Sequence, residues 1–233
     1  MNKYEITSRI ERIAPPETAE SWDCSGWLVE TNICNIKKIL FALTVTDDIV
    51  NQAKGLNCDM IISHHPLFFV PVEYKNIDIY CAHTNLDIAD GGTTDCLIRK
   101  LCNLGLKCSE IIKPEGFVRY IETEVKKEEL FKILSQISTN FRYTGKETKV
   151  FHKLGICAGS GSEFIKEAFK NGADGFITGD LKFHTALESP ITVFDIGHFE
   201  SEIPVLNQLK NIINFDGEIY IAKENSPISV YTS

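Results

Sequence analysis

The chain has 233 residues, 43% of them hydrophobic and 24% charged, with a formal net charge of −8. That length supports one large domain or two small ones, and the composition is globular, neither disordered nor fibrous. The acidic balance and the scattered basic residues argue against a nucleic-acid groove or a surface for anionic membranes, since both need clustered positive charge.

Met1 to Glu11 is charged throughout and does not read as a secretion signal. The most apolar run, Ile39 to Val45, is far shorter than the ~20 residues of a membrane-spanning helix. A cytoplasmic protein with no membrane partner is expected. The 8 cysteines are dispersed and include no C-x-x-C pair, so reduced, mostly buried thiols are expected.

Apolar spacing predicts a helix from Asn2 to Ile13, stopped by Pro15-Pro16. Strands follow at Ser25–Val29 and Lys37–Val45, then a helix at Asp47–Gly55 with two acidic residues in its first turn. Asp59–Ser63 reads as a strand running into His64-His65-Pro66; Ile77–Thr84 is a strand and Thr93–Leu104 a helix. After a polar stretch come a strand at Phe117–Thr123, a helix at Glu128–Ile137, and strand character over Lys149–Cys157. The remainder reads as helix Glu163–Asn171, strand Gly175–Thr178, helix Leu181–Glu188, strand Ile191–Ile196, helix Ser201–Ile213, and strands Glu218–Ala222 and Ile228–Thr232. The pattern predicts an α/β fold of two similar domains with mixed sheets, residues 1–108 and 109–233, and a C-terminal strand pair able to return to the first.

Ligands of open α/β sheets collect at the carboxyl ends of strands, and four of the 6 histidines follow predicted strands. His64 and His65 end one strand, where Pro66 holds His65 extended and blocks further ladder. His83-Thr-Asn-Leu-Asp87 leaves another strand toward Gly91-Gly92, with Cys81 as a rival ligand or a packed thiol. Imidazole with carboxylate suits zinc, iron or manganese. In Asp195-Ile-Gly-His198-Phe-Glu-Ser-Glu202, Ser201 reads as a helix N-cap, His198 as a loop residue, and Glu200 and Glu202 compete as the carboxylate. Asp180 and His184 read either as outer support for the site or as a structural pair. Gly159-Ser-Gly161-Ser reads as a tight turn or a phosphate cradle. Three imidazoles and two carboxylates exceed what one open zinc site takes, so two divalent ions are expected.

Ser63-His-His-Pro66, His83-Thr-Asn-Leu-Asp87 with Gly91-Gly92, Gly159-Ser-Gly161-Ser, Thr178-Gly-Asp180 with His184, and Asp195 to Glu202 together resemble the family of the NGG-one-interacting factor. Members of that family are also named homologues of GTP cyclohydrolase one, type two. The resemblance runs from Trp22-Asp23 to Glu202. It implies two similar α/β domains, a dinuclear centre between them and a homohexamer. It also implies His64, His65, Asp87, His198 and Glu202 as the metal ligands, favouring Glu202 over Glu200. Two divalent metal ions per chain (zinc, iron or manganese) would then serve a hydrolase of a nucleotide-like or other small polar substrate. His83 and His184 are the candidate proton carriers in that reaction. The reading from another class is a non-catalytic metal-binding scaffold that works through partner proteins or metal trafficking.

Overall fold

A computed structural model describes residues 1–229. In chain order the elements are α1 (Lys3–Glu11), β1 (Gly26–Val29), β2 (Lys38–Ala42), α2 (Asp47–Leu56), β3 (Met60–Ser63), β4 (Asp78–Cys81), α3 (Thr84–Ile88) and α4 (Thr93–Asn103). They continue with β5 (Arg119–Lys126), α5 (Lys127–Leu134), β6 (Arg142–Tyr143), β7 (Val150–Ile156), α6 (Ile165–Lys170), β8 (Gly175–Thr178), α7 (Phe183–Glu188), β9 (Thr192–Asp195), α8 (His198–Glu202), α9 (Val205–Ile213) and β10 (Glu218–Ile221). The described residues form two compact units, one from Met1–Gly92 with Val205–Asn225, the other from Thr93–Pro204 with residues 226–229.

The first unit carries a five-stranded sheet in the order β1-β4-β3-β2-β10. The three inner strands and β10 run parallel, and β1 closes the edge antiparallel to β4. β2 and β3 are buried on both faces almost throughout, which is why they read as continuous apolar runs without alternation. One layer of the core joins Leu40, Ile61 and Ile79 of the sheet to Ile49, Val50 and Ala53 of α2. Thr46 caps α2, accepting from the Ile49 N–H, and Asn57 ends it in the left-handed conformation. α1 packs on α9, and Arg9 donates to the Ile213 and Asn214 carbonyls at its end.

The second unit repeats the plan, with strand order β5-β7-β8-β9-β6. β7, β8 and β9 are parallel, and β5 and β6 flank them antiparallel. Leu97, Ile98 and Leu101 of α4 enter one core of this unit with Leu154, Ile156 and Phe194. The start of α4 is fixed by a buried ion pair, Arg119 Nε to Asp95 Oδ1 at 3.1 Å, with Lys113 Nζ 2.9 Å from the other oxygen. The same turn supports the loop after β7, since Ala158 N–H donates to Thr94 Oγ1.

The α/β class and the two mixed sheets are as the sequence predicts, but four local readings are corrected. Residues 84–88 are a short helix, because the buried Asn85 accepts from the His83 N–H and donates to the Ala14 carbonyl, winding the chain at the strand end. The helix expected over Ser201–Ile213 is two helices, α8 and α9, since Pro204 cannot continue the ladder of the first. Cys102 and Cys108 are joined in a disulfide, where reduced thiols are expected; the turn at Gly105 brings their Cα atoms to 6.3 Å. Ile228 is outside any strand, and residues 230–232 of that expected strand lie outside the described residues.

Arg119→Leu leaves the Asp95 carboxylate buried without its guanidinium. The expected loss is about 3–5 kcal/mol, read as a lowered urea midpoint, and Lys113→Ala at the half-exposed partner is expected to cost under about 1 kcal/mol.

Candidate metal centre

In the first unit the parallel ladder runs past the ends of β2 and β3. His64 N–H donates to the Ala42 carbonyl and His65 N–H to the Leu43 carbonyl, so both imidazoles leave the sheet at its carboxyl edge. β4 ends beside them, and His83 follows it as the residue before α3. The three ring centroids lie 5.1, 5.3 and 5.7 Å apart, and one ring nitrogen from each falls within 4.8 Å of the others. Asp87 joins them from α3, its Oδ1 3.4 Å from His64 Nε2. Glycine is required just beyond, because a Cβ on Gly92 would overlap the Leu86 carbonyl.

Each ring is turned by a bond to its Nδ1. The Ala82 carbonyl accepts from His64 Nδ1 at 2.9 Å, and a carbonyl cannot donate, so His64 carries its lone pair on Nε2. His83 Nδ1 donates to Asp23 Oδ1 at 2.9 Å, and His65 Nδ1 meets the Thr44 hydroxyl at 2.6 Å. The Glu224 carboxylate accepts from the Leu43 and Thr44 N–H groups and thereby fixes that hydroxyl. Burial raises the Glu224 pKa above the usual carboxylate range, against the pull of those two bonds. The Cys81 thiol donates to the His64 carbonyl and burial pushes it well above its ordinary pKa, so it is a packed thiol.

Asp23 is the residue that sequence reasoning missed. Burial pushes its carboxyl up, but bonds from Thr84, His83 and Ser25 outweigh that and hold it at about 2. Its fully buried carboxylate also accepts from the Cys24 and Thr84 N–H groups. Burial and the neighbouring His64 lower the His83 pKa, opposed by Asp23, so His83 is neutral at pH 7. The signals for Asp23 in the sequence are its place two residues before Ser25, in the turn that enters β1, and the Trp22-Asp23 pair at which the family resemblance begins, neither of which assigns it a role.

In the second unit β9 ends at Asp195, and Gly197, at φ +91°, turns the chain directly into α8. The buried Asp195 ties the turn together, pairing with Arg142 and accepting from the Leu181 and Gly197 N–H groups. His198 therefore begins a helix where a loop was expected, and Glu202 is one helical turn on, with Oε2 3.0 Å from His198 Nε2. Asp180 Oδ2 receives the other ring nitrogen at 2.7 Å. Glu200 folds back over Gly197. The Glu202 bond, helped by Asp180 and opposed by burial, raises the His198 pKa to about 9.

The Gly159 turn backs this pair. Its N–H donates to Ser201 Oγ and that of Gly161 to Thr178 Oγ1, so both donors are used within the fold and the tight-turn reading applies. Gly159 has φ +68°, and a Cβ there would overlap Glu202 Oε1. His184 is exposed on α7 with its ring against Phe183, and no hydrogen bond among the described residues ties it to Asp180 or His198.

Imidazole and carboxylate groups at the carboxyl ends of parallel strands define an α/β protein with the donor groups of a divalent-metal site. The family model described as Duf34/NIF3 (NGG1p interacting factor 3) matches residues 1–227, and the chain belongs to that family. It is 33% identical to a protein of Clostridium perfringens named GTP cyclohydrolase 1 type 2 homolog, over 96% of this chain and 97% of that one. It is 29% identical to the NIF3-like protein 1 of Drosophila melanogaster, over 89% of this chain and 80% of that one. Among solved structures, reduced HcgD from Methanocaldococcus jannaschii is 29% identical with a TM-score of 0.81, covering 95% of this chain and 97% of its own. A Staphylococcus aureus hypothetical protein superposes with a TM-score of 0.83 at 23% identity, covering 100% and 99%.

The two titrations predict opposite pH limbs for the ion-free protein. Asp23, depressed from 3.8 to about 2, stabilises the fold above pH 3.8, and this is lost as pH falls through 2. His198, raised from 6.5 to about 9, stabilises it below pH 6.5, and this is lost as pH rises through 9. Urea midpoints against pH are expected to lose the acid limb in Asp23→Asn and the alkaline limb in Glu202→Gln, while Glu200→Gln keeps both.

Proposed function

We propose that this chain is a dinuclear, divalent-metal-dependent hydrolase of a nucleotide-like or other small polar substrate, with His64, His65, Asp87, His198 and Glu202 as the metal ligands. The observation that carries the reading is the trio of imidazoles whose Nδ1 atoms are engaged and whose ring nitrogens gather within 4.8 Å. The donor set fits zinc, iron or manganese: ring nitrogens and carboxylate oxygens, with the Cys81 thiol turned to backbone. Both the family resemblance and the names of the cyclohydrolase-homologue relatives support a small-molecule hydrolytic role.

A bound pair of divalent ions supplies Lewis acidity and water acidic enough to react near neutral pH. The protein's own part is orientation and proton handling. His64 is inaccessible to solvent and pinned to Ala82, so its ring has one available direction. His83, neutral at pH 7 and held through Nδ1 by an ionised Asp23, receives a proton at Nε2; its side chain is 16% exposed and passes that proton to solvent. His184, exposed on α7, is the second candidate proton carrier. The chain acts as a homohexamer, the assembly the resemblance implies.

Elemental analysis of metal-replete protein is expected to give close to two divalent ions per chain, with loss in Asp87→Ala; one ion or none would sink the dinuclear reading. With the ions retained, His83→Ala is expected to lower kcat on a nucleotide panel by about 10²–10⁴, and His184→Ala by less than roughly tenfold. Sedimentation at micromolar concentration is expected to give the hexamer mass.

A further inference from the structure

We infer that Trp22 and Phe68 form the surface on which a planar heteroaromatic ring of the substrate stacks, at the open edge of the imidazole trio. The inference rests on the hydrolase reading and names the part of the substrate that the first unit recognises.

Trp22 is 58% exposed and Phe68 68%, beside Phe69 at 81% and Val72 at 71%. Contiguous exposed aromatics of this kind leave a large transfer free energy unused, and on a folded surface they mark a binding patch. This patch adjoins the site: the Trp22 ring lies 6.5 Å from Phe68 at 33° and 6.0 Å from His83 at 77°. Both rings are carried on restrained backbone. Trp22 is bonded to Asp23, whose buried carboxylate locks that turn to Thr84 and His83. Phe68 sits between Pro66 and Pro71, two residues of fixed φ.

The occupant follows from the mixture. A protein–protein patch is depleted of charged groups at its core, whereas here Trp22 borders His83, which is paired with the ionised Asp23 next to Trp22 in the chain. A few aromatic faces with convergent polar groups is the make-up of a small-molecule site. Trp and Phe have no donor or acceptor on their ring faces, so they select a flat π system over a sugar or a phosphate and tolerate different bases.

The test uses full-length Trp27→Phe protein, in which Trp22 is the remaining one of the 2 tryptophans. Its fluorescence is titrated with guanosine, adenosine and ribose, metal-loaded and after chelation. Saturable quenching by the nucleosides and none by ribose is expected, with binding roughly tenfold weaker or more in Phe68→Leu. Linear quenching equal to that of free N-acetyltryptophanamide, or Phe68→Leu binding unchanged, would overturn the inference. So would a Trp22 emission that shifts blue in step with self-association, which would mean a second copy covers the patch. Elemental analysis of Trp22→Leu, with its nucleoside binding read by equilibrium dialysis, separates the two readings: ions retained with nucleoside binding lost supports the stacking role. Nucleoside binding in a chain that takes up no ions supports it too, while removing the hydrolase reading.

Discussion

The whole arrangement depends on the bond that each histidine makes through Nδ1. An imidazole on a free rotor offers two nitrogens and no fixed direction. Here His64 is held by a carbonyl and His83 and His198 by carboxylates, so each must be protonated at Nδ1. In His64 and His83 the available lone pair is then Nε2, aimed by backbone at the end of the sheet, whereas His198 carries a second proton on Nε2, shared with Glu202. The supports come in turn from Asp23 in the turn before β1, Thr44 in the loop after β2, and Ala82 at the end of β4. Orientation in the first unit is therefore a property of the parallel ladder, extended one residue at a time past its last strand pair.

The same construction recurs in the second unit with different parts. A parallel strand ends at Asp195, a glycine at positive φ reverses the chain, and a short helix presents His198 and Glu202 on one face. In the first unit the helix after the strand carries Asp87, and the imidazoles precede it; in the second both groups lie on the helix itself. No helix among the described residues is long and apolar enough to cross a membrane.

Much of this was legible in the residues, for physical reasons. Parallel central strands are buried on both faces, so Ile39 to Ala42 and Met60 to Ile62 announce themselves as apolar runs, and the polar residue after each run marks the carboxyl edge. That logic located His64, His65, His83 and His198. It could not locate Asp23 or Glu224, because their role is to accept hydrogen bonds from groups remote in sequence, and no periodicity records that. The start of α8 was misread for a related reason: Ser201 has an N-cap's chemistry, but its hydroxyl is used inside the helix, donating to the His198 carbonyl and receiving the Gly159 N–H. The edge strand β6 has only two residues and too little pattern to be seen.

Burial sets the final constraint on the second unit. Glu202 is only 4% exposed, and a carboxylate so placed requires a positive partner close by. In the ion-free protein that partner is the proton on His198, which is why the imidazole holds it to about pH 9. A divalent ion held there would supply the same compensation with more charge, and His198 would have to surrender its proton before Nε2 could coordinate. On the metal-site proposal, proton and metal would compete for one lone pair. Uptake near neutral pH would then release a proton and weaken as pH falls, with the bond between His198 and Glu202 exchanged for a coordinate one. The Gly159 turn, held by its N–H bond to Ser201, packs directly behind Glu202 and would keep the carboxylate in place through such a change.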